Sequence, residues 1–90
     1  MIEKSFRITN HSGLHARIAT SLVKIANKYQ ASIQICFKNN ITDFKSIMSV
    51  LGLGLTYHDV FLLHAEGPDE EELFKELSLQ ILETGLGKEI

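Results

Sequence analysis

Ile2, Phe6 and Ile8 alternate with Glu3, Ser5 and Arg7 at the start of the chain. Apolar residues at every second position describe a strand with one buried face, here over residues 2–8. The period then changes. Ile18, Leu22, Ile25, Ala26 and Tyr29 form the apolar stripe of a helix over residues 16–28, with Lys28 supplying a cation in its last turn. Alternation returns at residues 32–37, where Ile33, Ile35 and Phe37 share one face and Ser32, Gln34 and Cys36 the other. Lys38-Asn39-Asn40 has turn composition, so residues 40–43 are expected to come back as a short hairpin strand. Asp43 to Ser46 lead into a short helix over 47–52, closed by Gly52 or Gly54. Residues 60–65 read as another strand. Gly67-Pro68-Asp69 then opens the last helix, with Asp69 as N-cap, Glu72 completing a capping box and the acids at 70–72 complementing the dipole. Leu73, Phe74, Leu77 and Ile81 face inward, and Gly85 followed by Leu86 fits a Schellman ending.

The order is therefore βαββαβα. Short antiparallel strands with three helices on one face give an α+β open-faced β-sandwich. Ninety residues, 44% of them hydrophobic, suit one domain over residues 1–90 with a modest core. Repeats, linkers and low-complexity segments are absent. The opening Met-Ile-Glu-Lys carries no signal-peptide apolar region, and no apolar run is long enough to span a bilayer. A cytoplasmic protein without membrane insertion is expected. The lone Cys36 has no internal partner and fits a reducing compartment.

Charge is divided between the halves. Residues 1–45 hold seven cations against two acids, net +5, and residues 46–90 hold two against nine, net −7. A basic N-terminal half points to anionic or acidic partners. Nucleic acid is not expected, because there is neither a basic run nor an aromatic platform. No Cys/His cluster has zinc spacing, and the turn between His11 and His15 argues against a helical metal pair. No metal or cofactor is implied.

The candidate chemistry sits where the first strand gives way to the first helix, at Asn10-His11-Ser12-Gly13-Leu14-His15-Ala16-Arg17. Asn10 to Gly13 are turn residues, which puts His15 at the N-cap and Ala16, Arg17 and Ile18 in the first turn. The first amides of a helix have no intrahelical partner and carry partial positive charge. Such a site favours a bound phosphate, here on the backbone of Ala16, Arg17 and Ile18, and disfavours an imidazolium, leaving one ring nitrogen of His15 free to attack. A cation at a helix N-terminus is unfavourable by roughly 0.3–1 kcal/mol, so Arg17 reads as a phosphate partner. Ser46 is a good N-cap for the short helix, which alone could account for it. Val50 and Leu53 can face the core together, leaving Ile47, Met48 and Leu51 partly exposed as a docking patch. Thr20, Lys24 and Asn27 follow Arg17 along the same side of the first helix and form its polar rim. On the other side of the sheet, Val60 and Leu62 lie with His64, more apolar than an open face needs.

Gly-Leu-His-Ala-Arg at 13–17, Lys-Ser-Ile-Met at 45–48 and Leu-Gly at 53–54 resemble the HPr family, the histidine-containing phosphocarriers of the bacterial sugar phosphotransferase system. The resemblance runs nearly end to end. It implies a four-stranded sheet of order 1-4-2-3 and a phosphoryl group accepted on His15 from enzyme I, charged by phosphoenolpyruvate, and passed to IIA domains of sugar permeases. Such a relay is a substrate of other enzymes and has no turnover of its own. In Gram-positive members the serine matching Ser46 is phosphorylated by a dedicated kinase, so an HPr kinase/phosphorylase and a transcriptional regulator join the implied partners. The alternative reading is a regulatory binding module of the same fold controlled through Ser46; a blander one is an interaction domain with no chemistry. The chain departs from the family where Ile18 replaces the usual proline, where Asn27 and Ser49 replace lysines often found there, and where Tyr57-His58 replaces a glycine-bearing turn.

Overall fold

The computed structural model describes residues 1–90. Its elements are β1 (Ile2–Ile8), α1 (Ala16–Ala26), β2 (Ser32–Phe37), β3 (Asn40–Asp43), α2 (Ile47–Leu51), β4 (Val60–Glu66), α3 (Glu70–Glu83) and β5 (Gly87–Glu89). The strands form one antiparallel sheet in the order β3-β2-β4-β1-β5. The expected order 1-4-2-3 is preserved, and the four-stranded count is corrected to five. β5 adds to the free edge of β1, where Gly87 lies opposite Ile8. A Cβ on Gly87 would sit 2.1 Å from the Arg7 carbonyl oxygen, so only glycine lets the backbones meet there. Three residues of sequence Gly-Lys-Glu carry no alternation, which is why the pattern did not reveal the strand.

The helices cover one face of the sheet. Phe6 and Ile8 of β1, Ile33 and Ile35 of β2 and Phe61, Leu63 and Ala65 of β4 meet Leu22 of α1 and Leu73, Phe74, Leu77 and Ile81 of α3 in a single buried cluster. The rings of Phe6 and Phe61 stack with centroids 5.6 Å apart. Each large aliphatic side chain removed from water here contributes about 1.5–3 kcal/mol. α1 stops at Ala26, two residues short of the expected 28, because Asn27 takes the C-cap: its backbone N–H donates to Val23 O, and the Lys28 N–H that follows donates to Ile25 O. The Asn27 side chain adds two more bonds, from Nδ2 to Val23 O at 2.9 Å and to Lys45 O at 3.1 Å. This stitches the end of α1 to the segment entering α2.

The expected capping box at α3 is not formed. Asp69 occupies the N-cap position but makes no side-chain cap bond. Its carboxylate instead accepts from Gln30 N–H at 2.9 Å and Ala31 N–H at 2.8 Å, tying α3 to the turn after α1. Two amides from one turn offer a carboxylate charge-assisted bonds, whereas the helix-start amides can be left to water. Glu70 takes over locally, accepting Gly67 N–H at 3.0 Å. The Schellman ending is present: Leu86 N–H reaches Ile81 O at 3.2 Å and Gly85 N–H reaches Leu82 O at 3.1 Å.

The amides of Gln30, then of Ala31, hold the Asp69 carboxyl below its usual range. Glu76 is likewise lowered, by Lys28 first and Tyr29 second, and it pushes the Tyr29 phenol up to about 12. Both carboxylates therefore contribute stability that is present above their unfolded pKa and lost as pH falls through their folded pKa. Asp69→Asn should lower the urea midpoint at neutral pH and leave a smaller further loss on acidification than the native chain suffers. Urea titrations across the carboxylate range read this directly; parallel stability–pH curves for the two proteins would remove Asp69 from the account.

Candidate functional site

The loop that carries His15 is tied down from several sides. Asn10 Oδ1 accepts Ser12 N–H at 2.9 Å, and the Asn10 carbonyl accepts Gly13 N–H at 3.0 Å. The amides of Thr9 and Asn10 both donate to Leu86 O, at 2.9 and 3.1 Å, so the residues just before β5 brace the loop. Leu14 N–H donates to Leu55 O at 3.1 Å, and the Leu14 side chain is buried. Gly13 has φ +69, and a Cβ there would stand 2.6 Å from the Leu55 carbonyl oxygen. A positive φ and a close backbone approach both require glycine at this position.

His15 then adopts the extended N-cap conformation, φ −87 and ψ 172, with its carbonyl accepting Ala19 N–H at 2.9 Å. Its side chain makes no cap bond. The amides of Ala16, Arg17 and Ile18 make no hydrogen bond, and the first turn contains no acid. Ala16 and Arg17 are exposed and His15 is half-buried. His15 and Arg17 line one cleft of about 370 Å³, whose other walls include Asn10, Ser21, Gln80 and Thr84. The last two come from the C-terminal end of α3, far away in sequence. Their only sequence signal is a spacing of four on one helical flank, too common to single them out. The arrangement joins a free imidazole, unpartnered amides with aligned dipole and a guanidinium, a combination suited to an anionic group on the ring.

Ile18 is 7% exposed and packs in the core, unlike its exposed neighbours Ala16 and Arg17. Proline at this position would relieve unfolded-chain entropy by about 0.4–1 kcal/mol. It would also trim buried volume, a loss of about 0.5–1.5 kcal/mol by comparison with isoleucine-to-valine changes. Ile18→Pro is therefore expected to keep the urea stability within about 1 kcal/mol of the native chain. The lifetime of a phosphorylated His15 should shorten only modestly, because two free amides and Arg17 remain. A sharply shortened lifetime in a folded variant would make the Ile18 amide indispensable.

The rim residues come together in part. Thr20, Lys24, Asn27 and Ile47 line a groove of about 470 Å³ between α1 and α2. Met48 is 77% exposed and is not among the residues lining the groove, whereas Ile47 and Leu51 are half-buried against the core. Val50 is buried and Leu53 half-buried, as expected of the inward side. Ser46 caps α2, its Oγ accepting Ser49 N–H at 3.3 Å. His64 lies on the sheet, its Nδ1 2.8 Å from a Glu3 carboxylate oxygen. His58 takes φ 78; Tyr57 stacks on His11 with centroids 4.1 Å apart and lies tilted against His58 at 3.7 Å. No group of three or more His, Cys, Asp or Glu side chains is arranged to hold a metal ion. No helix is long and apolar enough to cross a membrane.

A family model described as the PTS HPr component phosphorylation site matches residues 2–82. Among solved structures, the chain is similar to a histidine-containing phosphocarrier protein of Mycoplasma, at 29% identity and TM-score 0.92, covering 96% of this chain and 98% of that one. It is also similar to HPr-C-His from Thermoanaerobacter tengcongensis, at 39% identity and TM-score 0.85 over 94% of each chain. The phosphocarrier protein HPr from Bacillus anthracis matches at 29% identity and TM-score 0.80, over 88% of this chain and 94% of that one.

Proposed function

Since this chain belongs to the HPr family of phosphocarriers, we propose that it accepts a phosphoryl group on His15 from enzyme I and passes it to IIA domains of sugar permeases, in the cytoplasm. The observation that carries the reading is the uncapped His15 at the start of α1, with the free amides of Ala16, Arg17 and Ile18 and the Arg17 side chain at one cleft. In the forward step a ring nitrogen of His15 uses its lone pair to form an N–P bond. The N–P bond to the donor histidine breaks in line, and its electron pair stays with that ring. No electrons are exchanged, and the other ring nitrogen of His15 keeps its proton. The amides and Arg17 face the charge on the transferring group, and the same contacts hold it until an acceptor histidine takes it. His15 is thus a relay, and turnover belongs to the partners on either side.

Docking is assigned to the α1–α2 groove, with Thr20, Lys24 and Asn27 as rim and Ile47, Met48 and Leu51 as the apolar patch. The basic rim suits acidic partners. The test is incubation with phosphoenolpyruvate and a matched enzyme I, followed by mass spectrometry. One acid-labile phosphoryl adduct is expected, and its absence would reject the relay.

Ser46 already has a local task as the N-cap of α2. Aspartate also caps well, so Ser46→Asp should fold as the native chain does. The added negative charge at the docking patch should slow transfer from enzyme I, most strongly at low salt. Equal low-salt transfer rates for the two proteins would move the docking surface elsewhere.

A further inference from the structure

The outer face of the sheet, away from the helices, is open, and its side chains are sorted into three rows running across the strands. Glu3, His64, Gln34 and Asp43 lie opposite one another through β1, β4, β2 and β3 and form an acidic row, with Glu66 beyond it. Two residues along, Ser5, Leu62, Cys36 and Ile41 form a second row, largely apolar. Ile41 is 67% exposed there. Two residues further, Val60 of β4, 39% exposed, lies opposite Arg7 of β1, which in turn lies opposite Lys88 of β5. This third row is basic.

We propose that this face pairs with the same face of a second copy of the chain, the strands of the two sheets running in opposite directions. A twofold axis along the middle row sets Ile41, Cys36 and Leu62 on their counterparts. The same rotation carries the acidic row onto the partner's basic row, so Glu3 of each copy meets Arg7 of the other. An axis along the strands would instead set acid on acid and base on base. The charge order therefore selects one of the two face-to-face dimers. A uniformly acidic or basic partner would meet like charge on one half of the face, whereas the face is complementary to itself. The contact is isologous and closes at two copies. With strands about 4.8 Å apart and about 3.3 Å of rise per residue, one face offers only about 450 Å². A contact of about 900 Å² in total falls below the standard interface size, so the dimer is weak and concentration-dependent.

The test is sedimentation equilibrium of the full chain at low salt. The native chain should move toward twice its monomer mass as concentration rises from about 10 µM to about 1 mM, the range expected of so small an interface. Added salt should shift the midpoint upward. Arg7→Glu sets like charges opposite each other and should weaken association at least about tenfold. Glu3→Arg combined with Arg7→Glu exchanges the rows and should restore it to within about threefold, which a merely structural defect would not allow. Both positions are exposed, and circular dichroism checks that each variant is folded. A native chain that stays monomeric throughout would overturn the proposal. So would a dimer indifferent to Arg7→Glu, or an exchange variant that remains as weak as the single one.

Discussion

His15→Ala is expected to abolish acid-labile phosphorylation by phosphoenolpyruvate and enzyme I. Three other histidines serve as internal controls. His11 and His58 both pack against the Tyr57 ring, and His64 sits against Glu3 on the sheet. None of the three precedes a helix, so none has the unpartnered amides that stand beyond His15. The fold should hardly register the change. The His15 side chain makes no hydrogen bond, and its capping contribution is backbone geometry that alanine can adopt. Arg17→Ala should leave labelling possible and slow it, since one of two sources of positive potential remains. Mass spectrometry of acid-treated and untreated protein reads the site, and a surviving adduct on His11, His58 or His64 would end the assignment.

Gly13→Ala should damage both stability and transfer, through a residue that carries no chemistry. Alanine at φ +69 stores strain of about 1–3 kcal/mol. Its Cβ would press to 2.6 Å from Leu55 O and 3.0 Å from Thr56 Cα, and relief by backbone movement costs about another 1–3 kcal/mol. Both atoms belong to backbone, so no side chain can swing away. Shifting Leu55 also strains the Leu14 N–H bond to its carbonyl, which sets the entry of the chain into α1. The urea midpoint should fall by the equivalent of about 2–5 kcal/mol. If part of the strain is released by moving the loop, the surviving folded protein should also accept phosphate more slowly, because a small displacement of a nucleophile is expensive. Native-like stability would mean that the loop relaxes freely and that His15 is not held through Gly13. Gly54→Ala makes a useful contrast: its φ is also positive, +66, but a Cβ there meets nothing within 4 Å.

Much of the local architecture was legible in the residues because its causes are local. Alternation at Ile33, Ile35 and Phe37 and the helical stripe at Ile18, Leu22 and Ile25 depend only on periodicity and burial; β2 stands where the pattern put it, and α1 starts there and ends two residues early. His15 as N-cap, Ser46 as N-cap and the Gly85-Leu86 ending follow from hydrogen bonds spanning a few residues. The capping box at Asp69 followed the same logic and failed, because a distant pair of amides competed for the carboxylate.

What the tertiary structure alone decided shares one property: the partners are far apart in the chain. β5 exists because packing brings Gly87 against β1, across about the whole length of the sequence. Gln80 and Thr84 reach the cleft of His15 and Arg17 only when α3 docks beside α1. Gly13 is compulsory only because Leu55 lies against it, and the three charge rows of the open face arise from strand register. By itself the sequence determined the order of the first seven elements, the place of His15 at the head of α1 and the resemblance carried by its motifs. Periodicity and caps act over a few residues and can be read one segment at a time. Register, edge pairing and the walls of a cleft depend on which segments share a buried core, and that choice is made by the chain as a whole.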